Sequence, residues 1–159
     1  MLSPAALAKI DRETAKYPPE QRQSAVMAAL TIAQNEKGWL SRDTIAFVAG
    51  YLEMPPVAVY EVATFYAMYN LEPIGRHKLT ICTNLPCSLQ GADAAAAHVK
   101  EKLGIGFNQT TADGAITLKE GECMGACGDA PVCLQNDKKM LSWMTPDKLD
   151  ALIEELRAK

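Results

Sequence analysis

The sequence has few aromatics (6 %), two histidines and no sizeable excess of charge of either sign. Its apolar stretches fall well short of the roughly 20 residues that a membrane-spanning helix needs. Sixteen Lys+Arg against 19 Asp+Glu leave a formal net charge of −3. There is thus no basic surplus to neutralise phosphates, which argues against a nucleic-acid protein. Phosphate-cradling glycine loops are missing as well. Gly104-Ile-Gly106 is a fragment of a dinucleotide fingerprint without its third glycine, and no G-x-x-x-x-G-K-[ST] run occurs. The opening MLSPAALAKIDRET becomes charged at Lys9, Asp11, Arg12 and Glu13 without an apolar core, so a signal peptide is not expected. The expected setting is therefore cytoplasmic and reducing, where cysteines ligate metals more readily than they form disulfides.

What is present suits one ordinary domain or two small ones: 159 residues, 48 % hydrophobic and 22 % charged. The chain divides near residue 75, which sets a helical domain over 1–75 and a mixed domain of different character over 76–159. In the first part, Ser3-Pro4 opens a helix to about residue 15, and Pro18-Pro19 breaks it. Glu20 to Lys37 carries Val26, Leu30 and Ala33 at helical spacing and stops at Gly38. Ser41 caps a third helix, and Val57 to Tyr69 forms a fourth after Pro55-Pro56. This is the outline of a small helical bundle.

The second part alternates. His77–Thr83 reads as a strand, Leu89–Leu103 as an Ala-rich helix capped by Ser88, and Ala115–Leu118 as a second strand. Pro131–Gln135 and Lys139–Leu141 form a hairpin about Asn136-Asp137, and Thr145-Pro146-Asp147 caps a final helix to about Leu156. The order β-α-β-β-α, with a right-handed crossover, predicts a thioredoxin-like α/β unit behind the bundle, an α+β chain as a whole.

Five cysteines fall into a C-x4-C pair, Cys82 and Cys87, a C-x3-C pair, Cys123 and Cys127, and the separate Cys133. Both pairs lie where a strand runs into a loop, as iron–sulfur ligands require. The loop of the first pair stops just before an expected helix N-terminus, where a thiolate or cluster would be favoured. In the second, Gly125 would let the backbone approach closely, and Gly128 would take a left-handed turn. Two unequal pairs suit two irons, each held by one pair, better than one tetrahedral zinc, for which C-x2-C hairpins are the commoner frame. Structural zinc stays open as the alternative. A Rieske centre would need two histidine ligands, yet His77 and His98 lack ligand spacing and read as surface or edge residues. Cys133 alternates within PVCLQ as a buried strand residue.

Several segments carry a resemblance. Val59-Tyr-Glu-Val-Ala-Thr-Phe-Tyr66, Pro73-Ile-Gly-Arg76, the Cys82–Cys87 loop and Glu122-Cys-Met-Gly-Ala-Cys-Gly-Asp-Ala-Pro-Val132 resemble the thioredoxin-like 2Fe–2S subunit (E subunit) of bacterial NADH–quinone oxidoreductase, respiratory complex I. The resemblance implies one 2Fe–2S cluster on Cys82, Cys87, Cys123 and Cys127, as both cofactor-binding and metal-ligating residues, and no catalytic residue on this chain. It implies a flavoprotein partner carrying FMN and NADH, with which the cluster exchanges single electrons. It further implies other peripheral-arm subunits, and a place on the cytoplasmic side of the inner membrane held through the complex. The same module serves NAD-linked hydrogenases and formate dehydrogenases, so these stay open. One departure is Cys133, where a Met or other apolar residue is expected. Glu120, Glu122 and Asp129 would lower the cluster's potential unless solvent screens them. Phe65, Tyr66, Met68 and Tyr69 either dock a partner or pack the bundle.

Overall fold

The computed structural model describes residues 1–158. Two compact units form, Met1–Pro73 and Ile74–Lys159. Among the described residues, no helix is long and apolar enough to cross a membrane.

The first unit is helical. Helix α1 (Pro4–Thr14) starts where Ser3 Oγ accepts the Ala6 N–H at 3.2 Å, with Pro4 at the first position. The next helix departs from the expected continuous run over 20–37. Pro19–Ala25 is a 3-10 segment with Gln21 outside helical geometry, and α2 occupies only Val26–Lys37. The departure is local: Gln21, at φ −115° and ψ 25°, leaves helical torsions, and its N–H closes a tight turn on the Pro18 carbonyl at 2.8 Å. Gly38, at φ +83°, ends α2. Ser41 caps α3 (Arg42–Tyr51), as its position before the helical stripe predicts, by accepting the Thr44 N–H at 3.1 Å.

Helix α4 (Pro56–Phe65) ends earlier than the expected Tyr69, because Tyr66 is already extended. Tertiary bonds outweigh helix continuation here. Gln34 on α2 donates to the Met68 carbonyl at 2.9 Å and accepts the Asn70 N–H at 2.7 Å, while the Tyr69 hydroxyl donates to the Met27 carbonyl at 2.9 Å. The aromatic run is thereby divided. Tyr69 joins the core with Ile10, Leu30, Leu40, Val48 and Val59, whereas Phe65 stays 79 % exposed.

The second unit is built on a five-stranded sheet of order β2-β3-β1-β4-β5. Its strands are β1 (His77–Cys82), β2 (Gln109–Thr110), β3 (Ile116–Gly121), β4 (Cys133–Gln135) and β5 (Lys139–Leu141). Strands β1 and β3 run parallel, the crossover expected from their separation by a helix, and β4 pairs antiparallel with β1. The two-residue β2, too short to carry an alternation, is the one strand that the sequence does not announce. Asn136 and Asp137 both take positive φ, making the hairpin turn whose Asn136 side chain accepts the Lys78 N–H at 2.7 Å.

The expected helix over 89–103 begins three residues later than expected, at Ala92. A single turn, α5 (Leu85–Ser88), is followed by Gly91 at φ +91° and then α6 (Ala92–Leu103). Glycine takes the left-handed conformation at little cost, so the chain turns there instead of continuing. Ser88 does not cap α6; its hydroxyl bonds the Asp93 carboxylate. Helix α6 and the last helix, α7 (Pro146–Ala158), contribute Ala95, Val99, Leu149, Ile153 and Leu156 to a core that includes Leu79, Ile81, Ile116 and Leu118. Cys82 lies outside that cluster. It belongs to a smaller one with Cys87, Ala92, Ala130 and Val132.

Candidate metal centre

Adjacent strands β1 and β3 end in register, with Cys82 opposite Gly121, and both cysteine loops start from these ends. Cys82 is fixed by its backbone, its N–H donating to the Val132 carbonyl at 3.2 Å, while the Thr83 N–H donates to the Gly121 carbonyl at 3.0 Å. Cys87 follows within α5, its N–H bonded to the Asn84 carbonyl at 2.9 Å. Both thiols are 1 % exposed. Cys127 opens the 3-10 turn Cys127–Asp129 and is half-buried, and Cys123 is exposed.

Of the four sulfurs, those of Cys82, Cys87 and Cys127 interact. Burial pushes the Cys87 thiol up to about 12, reinforced by hydrogen bonding to Cys82, the charges of Cys82 and Cys127, and hydrogen bonding to Cys127. The Cys82 thiol also points 3.8 Å from the Glu122 carbonyl, and Cys123 Sγ accepts the Gly125 N–H at 3.4 Å. Such N–H···S bonds stabilise a thiolate and are the kind of contact that iron–sulfur ligands use. Among the described residues, no three His, Cys, Asp or Glu side chains meet around a single point fit for one metal ion. The donors are soft sulfurs on two loops, partly shielded, and this chemistry fits a cluster that uses two thiolates for each iron.

A family model for thioredoxin-like [2Fe-2S] ferredoxins matches residues 10–157. The chain belongs to that family. The E subunit of the NADH-quinone oxidoreductase of Rickettsia bellii (strain RML369-C) is 46 % identical over 143 residues, covering 89 % of this chain and 85 % of the relative. One of the corresponding E subunits of Rhizobium meliloti (strain 1021) is 44 % identical over 150 residues, or 94 % and 88 % of the two chains. Among solved structures, an NAD+-reducing [NiFe]-hydrogenase in the H2-reduced state superposes with a TM-score of 0.70. It is 23 % identical, covering 82 % of this chain, which spans 22 % of that chain. At that identity the likeness concerns the fold.

Within this thioredoxin-like ferredoxin, two local expectations need correction. Gly128 lies in the 3-10 turn and is not left-handed, because the chain bends there through ordinary helical torsions. Gly125 is the left-handed residue, at φ +69°, and a Cβ there would meet no protein atom within 4 Å. Within the protein, close approach is required at Gly121, where a Cβ would lie 2.9 Å from Thr80 Cγ2 and 2.7 Å from Met124 Cε. The sequence signal was available, since Gly121 stands where a strand enters a cysteine loop. The helix-dipole expectation also lapses. Cys87 sits inside a one-turn helix, and α6 begins only at Ala92.

Other candidates sort clearly. Cys133 is a fully buried β4 residue in the main core, its thiol pushed up to about 12 by burial and then by Cys82. His98 bonds Asp150 at 2.8 Å on the surface side of α6, as expected. His77 is half-buried, and both of its ring nitrogens are buried without a hydrogen-bond partner, so it is not a plain edge residue. Glu120 is exposed and accepts the Thr83 hydroxyl at 2.8 Å; Asp129 accepts the Ser142 hydroxyl at 3.0 Å; Glu122 is exposed.

These environments set an order of thiol reactivity. In the cluster-free chain near pH 8, iodoacetamide should modify Cys123 first, then Cys127. Cys87 and Cys133 should lag by more than about tenfold, since a buried, protonated thiol is a poor nucleophile. Timed peptide mass spectrometry reads this directly, and equal rates at Cys87 and Cys123 would contradict the burial described.

Proposed function

We propose that this chain is the electron-transfer subunit of an NADH–quinone oxidoreductase and holds one 2Fe–2S cluster through Cys82, Cys87, Cys123 and Cys127. The observation that carries the reading is the gathering of buried and half-buried thiols from two loops at the ends of β1 and β3, in a chain of the thioredoxin-like [2Fe-2S] ferredoxin family. A bound cluster supplies reversible one-electron transfer. The chain's own residues hold it and exclude water. Cys82 and Cys87 anchor the buried side, with Ala92, Ala130 and Val132 packed about them. Cys123 and Cys127 face the accessible side, from which a partner would approach.

The NADH and FMN sites belong to a partner flavoprotein subunit, as the likeness to the E subunit implies. Leu85, Leu89 and Trp143, at 68 %, 79 % and 56 % exposure, offer that partner apolar anchors on the segments bonded to the cysteine loops. The cluster is held by the domain over 76–159, which follows the helical domain over 1–75. The complex places the chain at the cytoplasmic face of the inner membrane.

The test is anaerobic purification of the full chain, alone and from its native complex. A reddish-brown protein with about two irons per chain, giving a rhombic EPR signal after dithionite reduction, is the expected result. A colourless chain with one zinc would replace the reading with a structural assembly module. Co-purification with hydrogenase or formate dehydrogenase subunits, instead of a flavoprotein and membrane subunits, would reassign the complex.

A further inference from the structure

We propose that Gln90 is a positioning residue that ties the two ligand-bearing loops together and so sets how firmly the cluster is held. The inference rests on the four-cysteine reading above and goes beyond it, since Gln90 is no ligand. Its side-chain Nε2 lies 2.7 Å from the carbonyl oxygen of Cys127 and 3.4 Å from that of Pro86. Pro86 immediately precedes Cys87, so one amide NH2 bridges the backbone at one cysteine of each pair. Both acceptors are carbonyl oxygens, so only the NH2 end of the side chain can face them, and the orientation is fixed by chemistry.

The loops need such a tie. β1 and β3 hold the starts of both, with the Thr83 N–H on the Gly121 carbonyl, and the Cys82 N–H on the Val132 carbonyl ties down the chain again after the second pair, just before β4. Beyond those points the chain has little regular structure. α5 is a single turn, and Cys123 to Ala126 contains no helix or strand. Gln90 reaches across at the far end, where the second pair closes. An amide here also adds no charge beside an anionic site, which a lysine or a carboxylate would do.

Gln90→Met keeps the length and removes both donors, and Gln90→Glu sets a carboxylate against two carbonyls. With the cluster-loaded full chain, excess EDTA should bleach the visible absorption about fivefold faster in Gln90→Met, the effect of one lost net hydrogen bond, and faster still in Gln90→Glu. Hydrogen exchange followed by mass spectrometry should rise in peptides over 122–130, while β1 and α6 keep their protection. Bleaching within about 1.5-fold of the native rate in both variants, well short of one net hydrogen bond, would overturn the proposal. So would exchange rising equally in β1 and α6, which would mean that Gln90 supports the fold at large. Should the native chain bind no iron, the ligand reading falls, and the exchange comparison alone decides whether Gln90 joins the loops.

Discussion

Cys82→Ser should give a folded chain that holds almost no iron and shows no visible absorption. Cys82 is 1 % exposed and emerges from β1 beside Cys87, so its thiolate is on the sheltered side of the site. Serine keeps the size, but its hydroxyl is a harder, more basic and shorter ligand that suits iron–sulfur chemistry poorly. The rest of β1 is held by its partners on both sides, β3 and β4, and Cys82 contributes only to a small satellite of the core. Loss of iron with far-UV circular dichroism retained is therefore the expected pair of results. Cys133→Ala supplies the internal contrast. Cys133 is equally buried, but it sits in the main core of the unit, and its removal should cost about 1–2 kcal/mol of stability while leaving about two irons per chain. If Cys133→Ala lost iron and Cys82→Ser kept it, the division of the five cysteines into four ligands and one core residue would be reversed.

How much of this was legible in the sequence depended on whether the signal was local. Ser3 and Ser41 declare their helix starts because an N-cap involves only the next three residues. The pairing of β1 with β3 followed from the intervening helix, and the Asn136-Asp137 turn from its residue types. The cysteine spacing likewise placed both loops at strand ends. What escaped was set at a distance. The early end of α4 depends on Gln34, which lies on α2 and has no sequence link to Met68 and Asn70. The start of α6 at Ala92 instead of residue 89 turns on one left-handed glycine, Gly91. Gly121 obeys the same rule, since whether a glycine is needed for its torsion or for its lack of a Cβ depends on what stands opposite.

Gly75→Ala is expected to be among the most destabilising single-methyl additions in the chain. A Cβ at Gly75 would lie 2.9 Å from the Gly114 carbonyl oxygen and 3.1 Å from both the carbonyl carbon and oxygen of Ala115. All three are backbone atoms, so no side chain can swing aside. Those same carbonyls accept the Arg76 and His77 N–H groups at 3.0 and 2.9 Å, and Gly75 N–H itself donates to Thr117 Oγ1 at 2.6 Å. Relief of the clash would therefore pull the start of β1 away from the segment that leads into β3, and with it the central parallel pairing on which both cysteine loops depend. Overpacking of this kind costs about 1–3 kcal/mol, and rigid neighbours favour the upper end. For a unit of this size that is a fall of about 10–20 °C in melting temperature, if it unfolds independently of the helical unit. Gly50→Ala makes the opposite case from the same substitution. Gly50 lies in α3, exposed, and a Cβ there would meet nothing within 4 Å. Alanine should then stabilise the helical unit by about 0.5–1 kcal/mol through helix propensity alone. Calorimetry on the two variants reads both signs. A Gly75→Ala melting curve that overlays the native one would show that the chain can open at this junction without disturbing the sheet, and the account of what holds the cysteine loops in place would have to move elsewhere.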